Sequence, residues 1–171
     1  MNKSRVVGIF SILSALFYLT VGISHFLMPP EQLHFAHGIT ARFFLSLSKD
    51  ATFFHIRYWS FVIGSLLAMG VFICVRVAES DSLLYRITRM WAIIGLALTA
   101  IDFSRMHATA LRLAGGFSSY SDAVKDVITA YGIDRLDAYY GISFNLIGIY
   151  IFYLNYLSIR SRSLPRFFNI S

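Results

Sequence analysis

Four stretches of the chain stay apolar long enough to cross a bilayer, and in each the small and polar residues recur at helical spacing. A spanning helix needs about 20 apolar residues, and the runs 6–28, 57–76, 87–107 and 137–159 meet that length. In the first, Gly8, Ser11, Ala15, Tyr18, Gly22 and His25 follow a 3-4-3-4-3 spacing that keeps one face turned to a neighbouring helix. The second carries Ser60, Gly64 and Ala68 with Arg57 one turn earlier, and the third carries Ala92, Gly95, Thr99 and Asp102. In the fourth the stripe is Gly141, Asn145, Gly148, Phe152 and Asn155. This pattern predicts an all-α protein: a four-helix transmembrane bundle forming a single integral membrane domain over residues 1–171.

The interruptions add two further elements. Pro29 and Pro30 close the first span, since proline is tolerated in a first turn and not inside a helix. The following EQLHFAHGITARFFLSLSKD is too polar to span and reads as an amphipathic helix lying along the interface. Gly115 and Gly116 end the third helix, and Ser118 or Ser119 is placed to cap a second interfacial helix. That helix would turn Val124, Val127, Ile128 and Tyr131 to the membrane or the bundle, and Asp122, Lys125 and Asp126 to water. Gly132 ends it, and Asp134 caps the last span. The prediction is therefore four spans with two interfacial helices in the outer loops.

Composition agrees with a membrane protein: 57% of residues are hydrophobic and 14% charged, against about 25% charged in soluble domains. The net charge of +6 could suggest nucleic acid, but the basic residues stand at helix ends and form no clustered stripe. They orient the chain instead. Lys3, Arg5, Arg76, Arg86, Arg89, Arg160, Arg162 and Arg166 gather on one side almost unopposed by acids, which places both termini in the cytoplasm. The lone Cys74 excludes an intramolecular disulfide and a membrane dithiol chemistry.

The candidate chemistry centres on Asp102, a carboxylate inside an apolar run and costly there unless something receives it. Arg57 and Asp102 are equidistant from the Glu79/Ser80 junction of the hairpin, so the two are expected level with each other as an ion pair that fixes the bundle. Arg105, three residues beyond Asp102, is the local rival. With Tyr18, His25 and Asn145 these residues would line a polar pocket at the outer end, Asp102 and Asn145 lying roughly 7 to 10 Å below the boundary. No polar path continues across the membrane, which argues against a channel or a pump.

Two catalytic or redox alternatives arise from the same residues. His25, His55 and His107 stand at comparable depth on three helices, and two of them could ligate a haem b. An intramembrane metallohydrolase would use His25, Asp102 and His107, but Asp102 and His107 are about 140° apart around their helix and cannot both face one metal without unwinding. Ser24 and Ser104 have no orienting third group for nucleophilic catalysis. Glu31, His34 and His37 make one copy of a spacing that di-iron bundles use twice, so a solvated interfacial face is the better reading.

The basic start, the segment GIFSILSAL and the Arg57/Asp102 hairpin resemble uncharacterised bacterial multi-span membrane proteins grouped as a domain of unknown function. The resemblance covers the first three helices and lends no catalytic residue. The expected function is that of a non-catalytic protein of the bacterial plasma membrane, either an accessory subunit of a larger complex or homo-oligomer, or a binder of a lipid-like ligand such as a quinone or isoprenoid.

Overall fold

The computed structural model of the chain describes residues 3–33, 40–75, 82–131 and 140–160. These form six α-helices: α1 (Lys3–Leu27), α2 (Ala41–Lys49), α3 (Thr52–Cys74), α4 (Leu83–Gly116), α5 (Asp122–Tyr131) and α6 (Tyr140–Arg160). Two 3-10 turns, Pro30–Gln32 and Phe117–Ser119, complete the secondary structure, and the described residues include no strand. Of the six, α1, α3, α4 and α6 are long and apolar enough to cross a membrane. The all-α four-helix bundle read from the hydrophobic pattern is the architecture found.

The spans pack in chain order. The large interfaces are α1 with α3, α3 with α4, and α4 with α6, so α1 and α6 form the two edges of a row. The start of α1 and the end of α6 lie at one end of this row; α2, α5 and the two 3-10 turns lie at the other, the cap end.

Two boundaries differ from those read in the sequence. Helix α3 starts at Thr52, ahead of the expected position 57, with Ala51 as its N-cap, and the Thr52 amide donates to the side chain of Asp50 in the preceding turn at 2.9 Å. Helix α4 starts where the Ser82 hydroxyl accepts from the Tyr85 amide at 3.2 Å, and it runs unbroken to Gly116. Its 34 residues make a rod of about 51 Å at 1.5 Å per residue, against about 30 Å for a hydrocarbon core. A rod of that length exceeds one crossing by about 21 Å, so turns of α4 must reach beyond a hydrocarbon core.

The final turns of α4 receive α2. In place of an apolar face left for lipid, Phe43, Phe44 and Leu47 are buried at 1, 0 and 3% exposure against Ala110, Ala114 and Phe117. The Phe44 and Phe117 rings stack at 4.9 Å. Gln32 pins the entry to α2, its amide donating to the Ser46 hydroxyl at 3.2 Å and the Asp50 carbonyl at 2.8 Å. Helix α5 is looser: Val124 and Val127 are exposed, and Ile128 packs against the core. Ser118 and Ser119 fall in a 3-10 turn, and the first turn of α5 closes instead on the Ser121 carbonyl, 2.9 Å from the Lys125 amide. His34, His37, Gly132 and Asp134 lie outside the described residues.

Candidate functional site

Cross-helix contacts fix the register of the central hairpin. His55 meets His107, Tyr58 packs on Phe103 at 5.5 Å, and the Tyr85 hydroxyl donates to the Val75 carbonyl at 3.3 Å. Continued along the helices, this register sets Ser60 level with Asp102 and Arg57 level with Arg105, about one turn from the symmetric arrangement that the connection implied. Helix packing overrides loop symmetry because the aromatic faces interlock: Phe61 stacks on Phe103 at 4.1 Å and 17°.

The consequence falls on Arg57 and Asp102. Both are buried, at 7 and 5% exposure, as their shared stripe with Ser60 and Thr99 led one to expect. The register sets them on different levels, and the salt bridges described do not include one between them. Arg57 Nη1 donates to the Met28 sulfur at 3.7 Å. Asp102 has Arg105 as its charged neighbour on the same helix, and its Oδ2 is buried without a hydrogen-bond partner. Gln32 Oε1 is a second buried acceptor in that condition.

The two histidines come together. His55 Nδ1 and His107 Nε2 are 2.7 Å apart, so one nitrogen carries the hydrogen that the other accepts. His107 is 9% exposed and boxed by the rings of Phe54 at 5.9 Å, Trp59 at 5.7 Å and Tyr58 at 6.2 Å, while His55 faces outward. His25 does not join them; its ring contact is with the adjacent Phe26. A nitrogen-to-nitrogen hydrogen bond leaves no space for a macrocycle between His55 and His107, so haem ligation by this pair requires the rings to part. The described residues hold no group of three or more His, Cys, Asp or Glu side chains placed to share a metal. The Ser24 hydroxyl is taken by the Val21 carbonyl at 2.9 Å, with no base beside it.

Tyr18 and Asn145 are not part of one pocket with Asp102. The Tyr18 hydroxyl bonds that of Ser65 at 3.1 Å and helps hold α1 on α3. Asn145 is exposed, since α6 turns Ser143, Tyr150 and Leu157 to α4 and the opposite face to the surroundings. The deeper reason is that the stripes on the two edge helices point away from the bundle. Gly8, Gly22, Gly141 and Gly148 have open space where a side chain would be, and α1 instead buries Ser14, Val21 and Ser24, with the Ser14 hydroxyl on the Gly64 carbonyl at 3.0 Å.

What the sequence did not reveal is a cleft at the cap end. A cavity of about 530 Å³ is lined by Pro30, Glu31, Thr40, Ala41 and Arg42. A second of about 490 Å³ shares Glu31 and Arg42 and continues along Leu45, Ser46 and Lys49. The only signal for it is the alternation along α2 of buried phenylalanines with exposed Arg42 and Lys49, which becomes meaningful once α2 is known to stand on α4. No family model, no curated protein and no solved structure matches the chain.

Proposed function

We propose that the chain is a non-catalytic protein of a bacterial plasma membrane, with its termini cytoplasmic, that holds a lipid-like amphiphile such as a quinone or isoprenoid at the cap end. The observation that carries this reading is the cleft between Pro30–Glu31 and Thr40–Arg42. Its volume falls within the range of about 300 to 1,000 Å³ usual for small-molecule sites. Its Pro30–Glu31 wall follows closely in sequence on the last turn of α1, where Phe26 and Leu27 are 86 and 54% exposed. A polar head could meet the Arg42 guanidinium and the Glu31 carboxylate while an apolar tail lies along that exposed turn, an arrangement suited to a ligand drawn from the bilayer.

The test is to purify the protein in mild detergent and identify co-purifying amphiphiles by native mass spectrometry. The wild type should retain one amphiphile class well above its share of bulk lipid, and Arg42→Glu should lose most of it. Recovery of bulk lipids in bulk proportions would overturn the reading. A Soret band in the same preparation would replace it with the haem alternative. A periplasm-active reporter fused after Ser171 should be silent and one inserted near Ser119 active.

An accessory-subunit role is favoured by a different observation, the polar and small residues that α6 presents outward.

A further inference from the structure

Asn145 lies within the apolar run of α6 on a face that none of the described residues covers. Gly95 of α4 meets α6 at Ser143, Leu146 and Ile147, so Asn145 is level with Gly95. Asn145 stands five residues inside the start of α6 at Tyr140, about 7.5 Å along the axis, within a run long and apolar enough to cross a membrane. It is exposed and makes no hydrogen bond among the described residues. An asparagine is too short to reach the headgroups from there, and a polar group left bare in lipid is costly.

The surroundings of Asn145 are shaped for another helix. Gly141, Gly148 and Phe152 share its face, directly opposite the Ser143, Tyr150 and Leu157 face that packs on α4, and both glycines have open space within 4 Å of where a Cβ would stand. Spacing of 4-3-4 is the seam of a left-handed helix pair, and glycines permit close backbone approach.

We propose that a second copy of this chain covers the face, in a two-fold dimer with α6 against α6. Two copies inserted with the same topology present the same helix parallel and at the same depth, so Asn145 meets Asn145, and an amide both donates and accepts. A single asparagine in such a seam also specifies register and partner number. The other edge of the row lacks this requirement. On α1 the exposed hydroxyls of Ser11 and Thr20 are already bonded to the Val7 and Leu16 carbonyls, each at 2.9 Å, so a head-to-tail contact of α6 with α1 would leave Asn145 unanswered.

The exposed native Cys74 takes donor or acceptor dyes without any substitution, and energy transfer is then read in vesicles as protein is diluted in lipid. The wild type should show transfer that falls with dilution. Asn145→Leu should shift the midpoint to about threefold to eighteenfold higher protein density, the range that membrane hydrogen bonds of ~0.6 to 1.7 kcal/mol imply, and Ser11→Ala should leave it in place. In a Cys74→Ser background, Gly148→Cys should form an intermolecular disulfide on mild oxidation and Gly22→Cys should not. A wild type that is monomeric at every dilution, an Asn145→Leu midpoint equal to that of wild type, or cross-linking through position 22 in place of 148 would each overturn the proposal.

Discussion

The two ends of the bundle are held by different physics. At the cap end Phe43, Phe44, Phe54, Phe103 and Phe117 are all at most 3% exposed, and they form one cluster with Tyr58, Met106 and the alanines of α4. At the terminal end the buried cluster is small, Tyr85, Ala92, Tyr150 and Leu157, and it is organised by direction: Tyr150 donates to the Tyr85 hydroxyl at 3.2 Å, which donates to the Val75 carbonyl. Outside the membrane, ring area removed from water is a large term. Between helices in lipid that term is absent, and close approach with oriented hydrogen bonds replaces it. The cap thus packs as one ring cluster that runs from the last turns of α4 down into the bundle, and the terminal end rests on close approach and oriented hydrogen bonds.

The largest effect should come from breaking the cap core. Phe44→Ala removes a fully buried ring and should lower stability by about 3 to 5 kcal/mol, read as a fall in the thermal midpoint in mild detergent. A fall below 1 kcal/mol would mean that α2 is not stacked on α4. Next, Gly95→Ala would bring a methyl within 2.6 Å of the Ser143 carbonyl oxygen and should cost about 1 to 3 kcal/mol by forcing α4 and α6 apart. The matched change Gly148→Ala meets nothing within 4 Å and should leave the midpoint of the dilute monomer unmoved. Equal effects at the two positions would invalidate the assignment of α6 faces.

Tyr150→Phe keeps the ring and loses one buried hydroxyl bond, a change of about 1 kcal/mol. It should leave cap-end protection from hydrogen exchange untouched, and loss of protection there would show that the two ends unfold as one. The smallest effect is expected at Asp50, whose carboxyl is held below its usual pKa of 3.8 by hydrogen bonds from Thr52. Its contribution is therefore complete above that value and is lost as the pH falls through the lowered one. Asp50→Ala should reduce the stability difference between neutral and acid solution, and a variant with an unchanged pH profile would show that the Asp50–Thr52 hydrogen bond contributes nothing.

The number and type of the spans could be read from the sequence because apolar run length alone sets them. So could the inward faces of the two central helices: Ser60, Gly64, Ala92, Gly95, Thr99 and Asp102 are all buried, since a central helix has neighbours on two sides and most of its small residues must meet one. The same rule misdirects at the edges. A stripe such as Gly8, Ala15 and Gly22 marks where a backbone can be approached and carries no information about which partner approaches it. Arg57 and Asp102 were legible as inward charges, but their levels were not, because a shift of one turn in the hairpin, accompanied by the stacking of Phe61 on Phe103, moves every position along it. The cleft at Arg42 could not be seen before α2 was placed.

The chain-ordered row has a consequence for how the protein is made. Each span has its large interface with the span synthesised just before it, so no helix must wait in the bilayer for a distant partner. Every hairpin can close as it leaves the translocation machinery, and the low sequence separation of these contacts favours rapid docking. Only the cap requires a later step, since α2 emerges ahead of the α4 turns on which it stands and its phenylalanines stay uncovered until residues 110–117 arrive. Assembly defects from substitutions in Phe43 or Phe44 should therefore be felt during synthesis, in the interval between the second span and the end of the third.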